Sequence, residues 1–355
     1  MVFGYLFNST NNNVTIMPQT SQLSEKDDVI QAQIMKDFGL RKAILKYFDN
    51  KLFKLHETYT SCIYVDASKS HILKCFYEDT VICKTLFGVE CEAYQCLKYV
   101  KNTGELLYKS TKESKALILR YIGQDGLDIT NSHGPFMFDT WVCMVRDTVS
   151  TLRIIHNHKL IHGDVKLENL AFDGNSWHFI DFGFSCIDFK HGISGTFPFI
   201  LPYIGGVAQK QQWPTLALTK QAADIYALSL SLLTAVGVLP HDICDRCKYE
   251  EKSCEQLQHQ GKRKGTRIDI ELISTIHQDP TCLLANYKSY GVLAKPLTEL
   301  LCEIVLSQVD VTRKYLIWQE YKAEYYGGNK VKTIVHHTKI EYAWRELIKL
   351  SKILL

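Results

Sequence analysis

The chain lacks the features that would send it to a membrane or out of a cell. Its longest strongly apolar run, residues 222–239 of 355, is interrupted by Asp224, Ser229, Ser231, Thr234 and Gly237 and closed by Pro240. That pattern predicts a buried helix rather than a bilayer span, which needs about 20 nearly uninterrupted apolar residues. The opening stretch from Met1 to Phe7 is apolar but short and has no basic flank, so no secretory signal is expected. An excess of one charge is also missing: 41 Lys and Arg face 38 Asp and Glu, a net of +3. The chain as a whole is therefore not a polyanion binder, and nucleic acid is not an expected partner. No internal repeat stands out. Cysteine is not scarce, but its 12 residues are spread through a long chain with ordinary core-forming segments. Reduced thiols of a cytoplasmic or nuclear protein are the expected state, and no membrane partner is expected.

What the chain has is room for a core, with 46% hydrophobic residues, and a change of pattern along its length. Residues 1–27 open on a stretch rich in Asn, Ser and Thr and are expected to form a flexible arm. Residues 28–50 carry helical spacing (Ile30, Ile34, Phe38, Ala43, Leu45). From 51 to 122 short β-branched and aromatic runs alternate with polar turns. Cys62–Val65 and Ile72–Phe76 read as strands around a turn, 89–100 as a helix, and 106–109 with 116–121 as a second hairpin. From 123 to 325 helices dominate, with an irregular insert around 241–267. Residues 326–355 form a C-terminal extension.

The chemistry concentrates in His162-Gly163-Asp164-Val165-Lys166-Leu167-Glu168-Asn169, followed by Asp181-Phe182-Gly183. One carboxylate to orient a hydroxyl, one cation for phosphate, and an amide oxygen plus a carboxylate for magnesium are the groups that phosphoryl transfer needs. In this order the segment resembles the catalytic and metal-binding loops of eukaryotic-type protein kinases. The resemblance runs from about Leu52 to Tyr315 and is dense between Ile154 and Ser229. It implies an α+β, bilobal protein-kinase-like fold, with a small β-rich N-lobe and a larger α-helical C-lobe.

By that resemblance Asp164 accepts the substrate hydroxyl proton, Lys166 reaches the transferred phosphoryl, and Asn169 and Asp181 ligate Mg2+. Lys after the Asp goes with Ser/Thr kinases. Lys74 matches the strand lysine that holds the α and β phosphates of ATP. Glu90, with Tyr94 and Leu97 on its helical face, is preferred over Glu92 as its ion-pair partner. Leu119 falls at the gatekeeper position, and the backbone of Arg120 and Ile122 would read adenine, with Ile63 and Ile72 lining the pocket roof. Thr196, in Gly195-Thr196-Phe197-Pro198, would join Asp164 and Lys166 and help form the platform for the phosphoacceptor. Asp224 would be buried to hold the catalytic-loop backbone. The Val-Glu-x-x-x-Tyr pattern and Lys166 look most like the casein-kinase and vaccinia-related-kinase side, and a viral or effector origin suits so compact a chain.

Three departures qualify the pattern. No glycine-rich phosphate loop precedes Ile63-Tyr64; His56, Thr58 and Ser61 stand where glycines belong, which lowers the expected grip on nucleotide. Gly163 replaces the Arg that pairs with an activation-segment phosphate, so activity without that switch is expected. Tyr203 replaces a Glu whose usual Arg partner would be Arg313.

Outside the motif, His241, Cys244, Cys247 and Cys254 contain a Cys-x-x-Cys zinc half-site, so Zn2+ or free thiols are both open there. The basic run 261–267 has no interleaved aromatics. The expected activity is ATP- and Mg2+-dependent phosphorylation of Ser or Thr on a protein substrate. The alternatives are a pseudokinase scaffold and a small-molecule kinase of related fold, for which His-Gly-Asp is also usual.

Overall fold

The computed structural model describes Phe48 and residues 52–58, 60–77, 81–110, 115–187, 217–236, 300–305, 307–308 and 334–353. Its first part is a five-stranded antiparallel sheet in the order β1-β2-β3-β5-β4. The strands are β1 (Leu52–Glu57), β2 (Ser61–Asp66), β3 (His71–Phe76), β4 (Leu106–Ser110) and β5 (Ala116–Arg120). Between β3 and β4 lies helix α1 (Val81–Cys96).

Period-two alternation divides each strand between two faces. Cys62, Tyr64, Leu73, Cys75, Ala116 and Ile118 bury with Phe48 and Leu52 on one side. Ile72, Phe76, Leu117 and Leu119 pack toward Phe87, Cys91 and Tyr94 of α1 on the other. The central strands β2, β3 and β5 are thus largely buried on both faces and read as apolar runs, whereas β1 is exposed from Lys54 to Glu57 and β4 is only half-buried. The β2–β3 turn is closed by Asp66, 1% exposed, whose Oδ1 accepts from Ser70 N at 2.7 Å and His71 N at 3.0 Å.

Helix α1 begins eight residues before the start expected from sequence, at Val81 rather than Val89. β-branched Val81, Ile82 and Thr85 and the interior Gly88 all depress helix propensity and hid the first two turns. Gly88 meets nothing within 4 Å of an added Cβ, so it sits on an open face. The pattern Val89-Glu90-x-x-x-Tyr94 therefore lies within the helix and not at its start.

The rest of the described chain is mainly helical, built from α2 (Gly126–His133), α3 (Phe138–Asn157), α4 (Ala217–Ala235) and α5 (Ile334–Ile353). Of the run read as a buried helix, residues 222–235 lie in α4, where Ile225, Tyr226, Leu228, Leu232 and Leu233 are fully buried, and 237–239 lie outside the described residues. Trp141 Nε1 on α3 donates to Leu232 O at 2.9 Å and ties these helices together. The C-terminal extension contributes Ala343, Trp344, Leu347 and Leu350 to the same core.

Two small sheets carry the motif residues: β6 (Gln124–Asp125), β8 (Leu170–Phe172) and β9 (Trp177–Phe179) form one, β7 (Leu160–Ile161) and β10 (Cys186–Ile187) the other. This mixed α/β architecture is compatible with a kinase-like fold. Among the described residues no helix is long and apolar enough to cross a membrane.

Candidate active site

Strand β7 delivers His162, Gly163 and Asp164 into a loop whose backbone is fixed from behind. Asp224 on α4, 1% exposed, accepts His162 N at 2.7 Å on Oδ2 and Gly163 N at 2.9 Å on Oδ1. His156 Nε2 on α3 also reaches Oδ2, at 2.9 Å. One buried carboxylate therefore satisfies two loop amides and an imidazole, which is how a buried charge is accommodated. His156 escaped the sequence reading. Its only sequence signal is a histidine at the buried end of an amphipathic helix, and the Trp344 ring edge covers it at 5.4 Å.

Gly163 has φ +81°, and an added Cβ would lie 2.3 Å from Phe184 O. Both facts favour glycine here, since L-residues pay in left-handed backbone. Gly163→Ala is expected to destabilise the protein by about 2–4 kcal/mol, from left-handed strain and overlap with the Phe184 backbone. Urea unfolding of the two proteins checks this, and a change below 0.5 kcal/mol would contradict it.

Asp164, 4% exposed, lies beside Lys166 and Asn169. Lys166 Nζ lies 3.1 Å from Asp164 Oδ2. Asn169 Nδ2 donates to Asp164 O at 2.7 Å and to Asp164 Oδ2 at 3.0 Å. Those bonds fix the amide so that its oxygen points away from Asp164. Burial would lower the pKa of Lys166, but the charges of Asp164 and Glu168 outweigh it and raise it. Asn169 O accepts from Ile180 N at 3.0 Å, which sets Asp181 against the loop that carries Asn169.

Lys74 joins three separate elements. From β3 its Nζ donates to Glu90 Oε2 on α1 at 2.8 Å and to Asp181 Oδ1 after β9 at 2.9 Å. Glu92, two residues beyond Glu90, is exposed. Burial pulls the Lys74 pKa down, but Asp181 and Glu90 together raise it above the usual lysine value. Glu90 is fully buried; burial pushes its carboxyl up to about 7 despite Lys74, and Asp181 adds to the rise. Asp181 shifts the other way. Burial opposes the shift, yet Lys74's charge and hydrogen bond carry it down to about 2. Its side chain is still 39% exposed, so it keeps an open side that Glu90 lacks. Two carboxylates around one ammonium leave the group net negative and attractive to a cation at that open side.

Asp181 adopts φ +60°, a left-handed conformation uncommon for a residue other than glycine. Its neighbours over-determine it. Gly183 N donates to Asp181 Oδ1 at 3.3 Å. The Phe182 ring is fixed between Tyr94 at 5.2 Å and His162 at 4.8 Å. Such enforced strain is a mark of functional positions. The sequence showed Tyr94 only as an apolar neighbour of Glu90.

At the other end of the sheet, β3 and β5 pair Ile72 with Leu119 and His71 with Arg120. Ile63 lies opposite Lys74, and Ile63, Ile72 and Ile122 are half-buried. Arg120 N is already given to Glu105 O at 3.0 Å, and Tyr121 N to Ser70 O at 2.9 Å. A Cβ on Gly123 would strike Phe172 O at 1.9 Å, so the chain passes β8 closely there.

Thr196, Tyr203 and Arg313 lie outside the described residues, as do His241, Cys244, Cys247, Cys254 and the basic run. Among the described residues, no group of three or more His, Cys, Asp and Glu side chains could hold a metal ion. The hard-oxygen pair of Asn169 and Asp181 is an amide with one carboxylate and falls outside that description.

No protein-family model matches the chain. It is similar in part to the dual specificity protein kinase zak2 of Dictyostelium discoideum, 27% identical over 117 residues, which cover 29% of this chain and 17% of that protein. It is also similar to the dual specificity protein kinase zakA of the same organism, 40% identical over 62 residues, covering 17% of this chain and 8% of that protein. The matched segments are thus 17% and 8% of the lengths of these relatives. Taken with the site geometry, these partial matches point to a protein-kinase relationship.

Proposed function

We propose that the chain is an ATP- and Mg2+-dependent protein kinase acting on Ser or Thr. One observation carries the reading: Lys74 Nζ bridges Glu90 on α1 and Asp181 beyond β9, while Asp164, Lys166 and Asn169 are tied together alongside. In this account Lys74 binds the α and β phosphates, and Glu90 holds its ammonium in place. Mg2+ would be held by Asn169 and Asp181, whose oxygens suit a hard cation, and it would neutralise charge on the phosphates. Asp164 orients the acceptor hydroxyl, whose oxygen bonds to the γ-phosphorus as the bond to the β-phosphate oxygen breaks. The hydroxyl proton passes to Asp164 and ADP departs. Lys166 stabilises charge on the transferred phosphoryl group.

The substrate is a protein and the location intracellular in this reading, with the Lys166 position favouring Ser/Thr. The Val89-Glu90-x-x-x-Tyr94 pattern favours the casein-kinase and vaccinia-related-kinase side. A scaffold that has lost catalysis gains support from the glycine-poor β1–β2 turn and from Tyr203 in the place of a Glu. Its case is weakened by the retention of Lys74, Asp164, Asn169 and Asp181. Incubation with γ-labelled ATP and Mg2+, with casein, histone and myelin basic protein as acceptors, tests the proposal. Label on phosphoserine or phosphothreonine, abolished by chelating the metal, is expected. Label appearing only on aminoglycoside or choline would replace it with a small-molecule kinase.

A further inference from the structure

The β1–β2 turn stands where a loop would close on the phosphates. On the sheet face that holds Ile72 and Lys74, the order away from Arg120 is Ile72, Lys74 and then Phe76, which pairs with Ser61. Two strand residues span about 7 Å, so the turn lies one step beyond Lys74 on the side away from 121–123.

The turn is closed on itself. Thr58 N donates to Ser61 O at 2.8 Å. Thr58 Oγ1 accepts from Thr60 N at 3.2 Å and from Ser61 N at 3.0 Å. It gives its own proton to Ser61 O at 3.2 Å, with Thr60 Oγ1 at 3.1 Å and Ser61 Oγ at 3.3 Å also near. A hydroxyl has one proton and two lone pairs, and all three are engaged. The amides of Thr60 and Ser61, the donors that a phosphate loop offers to anionic oxygens, are answered here by a side-chain oxygen of the chain itself.

We propose that Thr58 is a specificity-determining residue that holds triphosphate affinity low, because its hydroxyl competes with nucleotide phosphate for the amides of Thr60 and Ser61. This rests on the kinase reading above. Nucleotide is then retained by its base and by Lys74, and the turn adds little.

Calorimetric titration of the full chain with MgATP and with adenosine tests this on wild type, Thr58→Ala, Thr58→Ser and Lys74→Met. Thr58→Ala should tighten MgATP about 3- to 10-fold, the worth of one or two released hydrogen bonds, and leave adenosine unchanged. Thr58→Ser keeps the hydroxyl and should bind as wild type does, which separates this effect from a general loosening of the turn. Unchanged or weaker MgATP binding by Thr58→Ala, with Lys74→Met still weakening it, overturns the proposal and leaves the kinase reading standing. Failure of wild type to bind either ligand overturns both.

Discussion

Replacing Asp224 with alanine is expected to remove about 3–5 kcal/mol of stability and to cut phosphate transfer about 100-fold in the molecules that remain folded. The stability loss follows from what is left behind. Two backbone N–H groups, on His162 and Gly163, and the His156 ring lose an acceptor that they meet at 2.7–2.9 Å. Each orphaned buried donor costs roughly 1–3 kcal/mol, and water has little access because Asp224 is 1% exposed. The activity loss follows from position, since Asp164 is the next residue after Gly163. An unanchored loop lets its carboxylate drift from the acceptor hydroxyl. Asp224→Asn should fall between the two proteins, because an amide oxygen can serve some of the donors while its NH2 repels another. Denaturant unfolding together with single-turnover transfer separates the effects. MgATP affinity, set at Lys74, should stay near the wild-type value. An Asp224→Ala protein that unfolds and turns over like wild type would remove this residue from the account.

Lys74→Met should abolish measurable MgATP binding through the phosphates and reduce transfer by about 10²- to 10³-fold, the usual effect of losing one charge-stabilising donor. Its stability effect depends on pH, with a sign fixed by its two partners. In wild type the folded Asp181 titrates near 2 against an ordinary 3.8. It contributes stability above the ordinary value that is lost as pH falls through about 2. Glu90 is raised from 4.5 to about 7. Its protonated form favours folding below 4.5, and that contribution is lost as pH rises through 7.

Without Lys74, Asp181 loses its depression, which is a constant penalty above pH 4. Glu90 then moves further up, so the variant goes on losing stability above pH 7 where wild type has levelled off. The difference between the proteins should therefore grow from pH 6 to pH 8.5, reaching about 3–5 kcal/mol as the uncompensated buried carboxylate is forced to ionise. Chemical unfolding at the two pH values measures it. A difference that shrinks with rising pH would contradict the assigned charge pattern.

The legible part of the site was the contiguous motif, together with Lys74, Glu90 and Asp224, which the kinase resemblance had named and which meet their partners across the fold. Asp164, Lys166, Asn169 and Asp181 share one stretch of chain, and chemistry demands those residue types in that order. Strands β2 and β3 were also readable, because β-branched and aromatic residues alternate there between polar turns. The helix carrying Glu90 was found but started late, since Val81, Ile82, Thr85 and Gly88 argue locally against helix and only packing on the sheet overrides them. Less legible were partners that no motif marks. His156 meets Asp224 over a separation of 68 residues, and periodicity carries no trace of such a pairing. Thr58 was read only as a poor substitute for glycine, which left the role of its hydroxyl open. The structure instead shows that hydroxyl engaged with its own turn, a local geometry that residue type alone does not specify.

The most direct test of the central claim is single-turnover transfer from γ-labelled MgATP to a protein acceptor by wild type and by Asp164→Asn. Asn is nearly isosteric and should leave nucleotide binding at Lys74 unchanged, but it cannot accept the hydroxyl proton. The account predicts Ser or Thr phosphorylation by wild type and a loss of at least about 10²-fold in the variant at equal MgATP occupancy. Equal transfer by both proteins, or none by a wild type saturated with MgATP and offered all three acceptors, would contradict it.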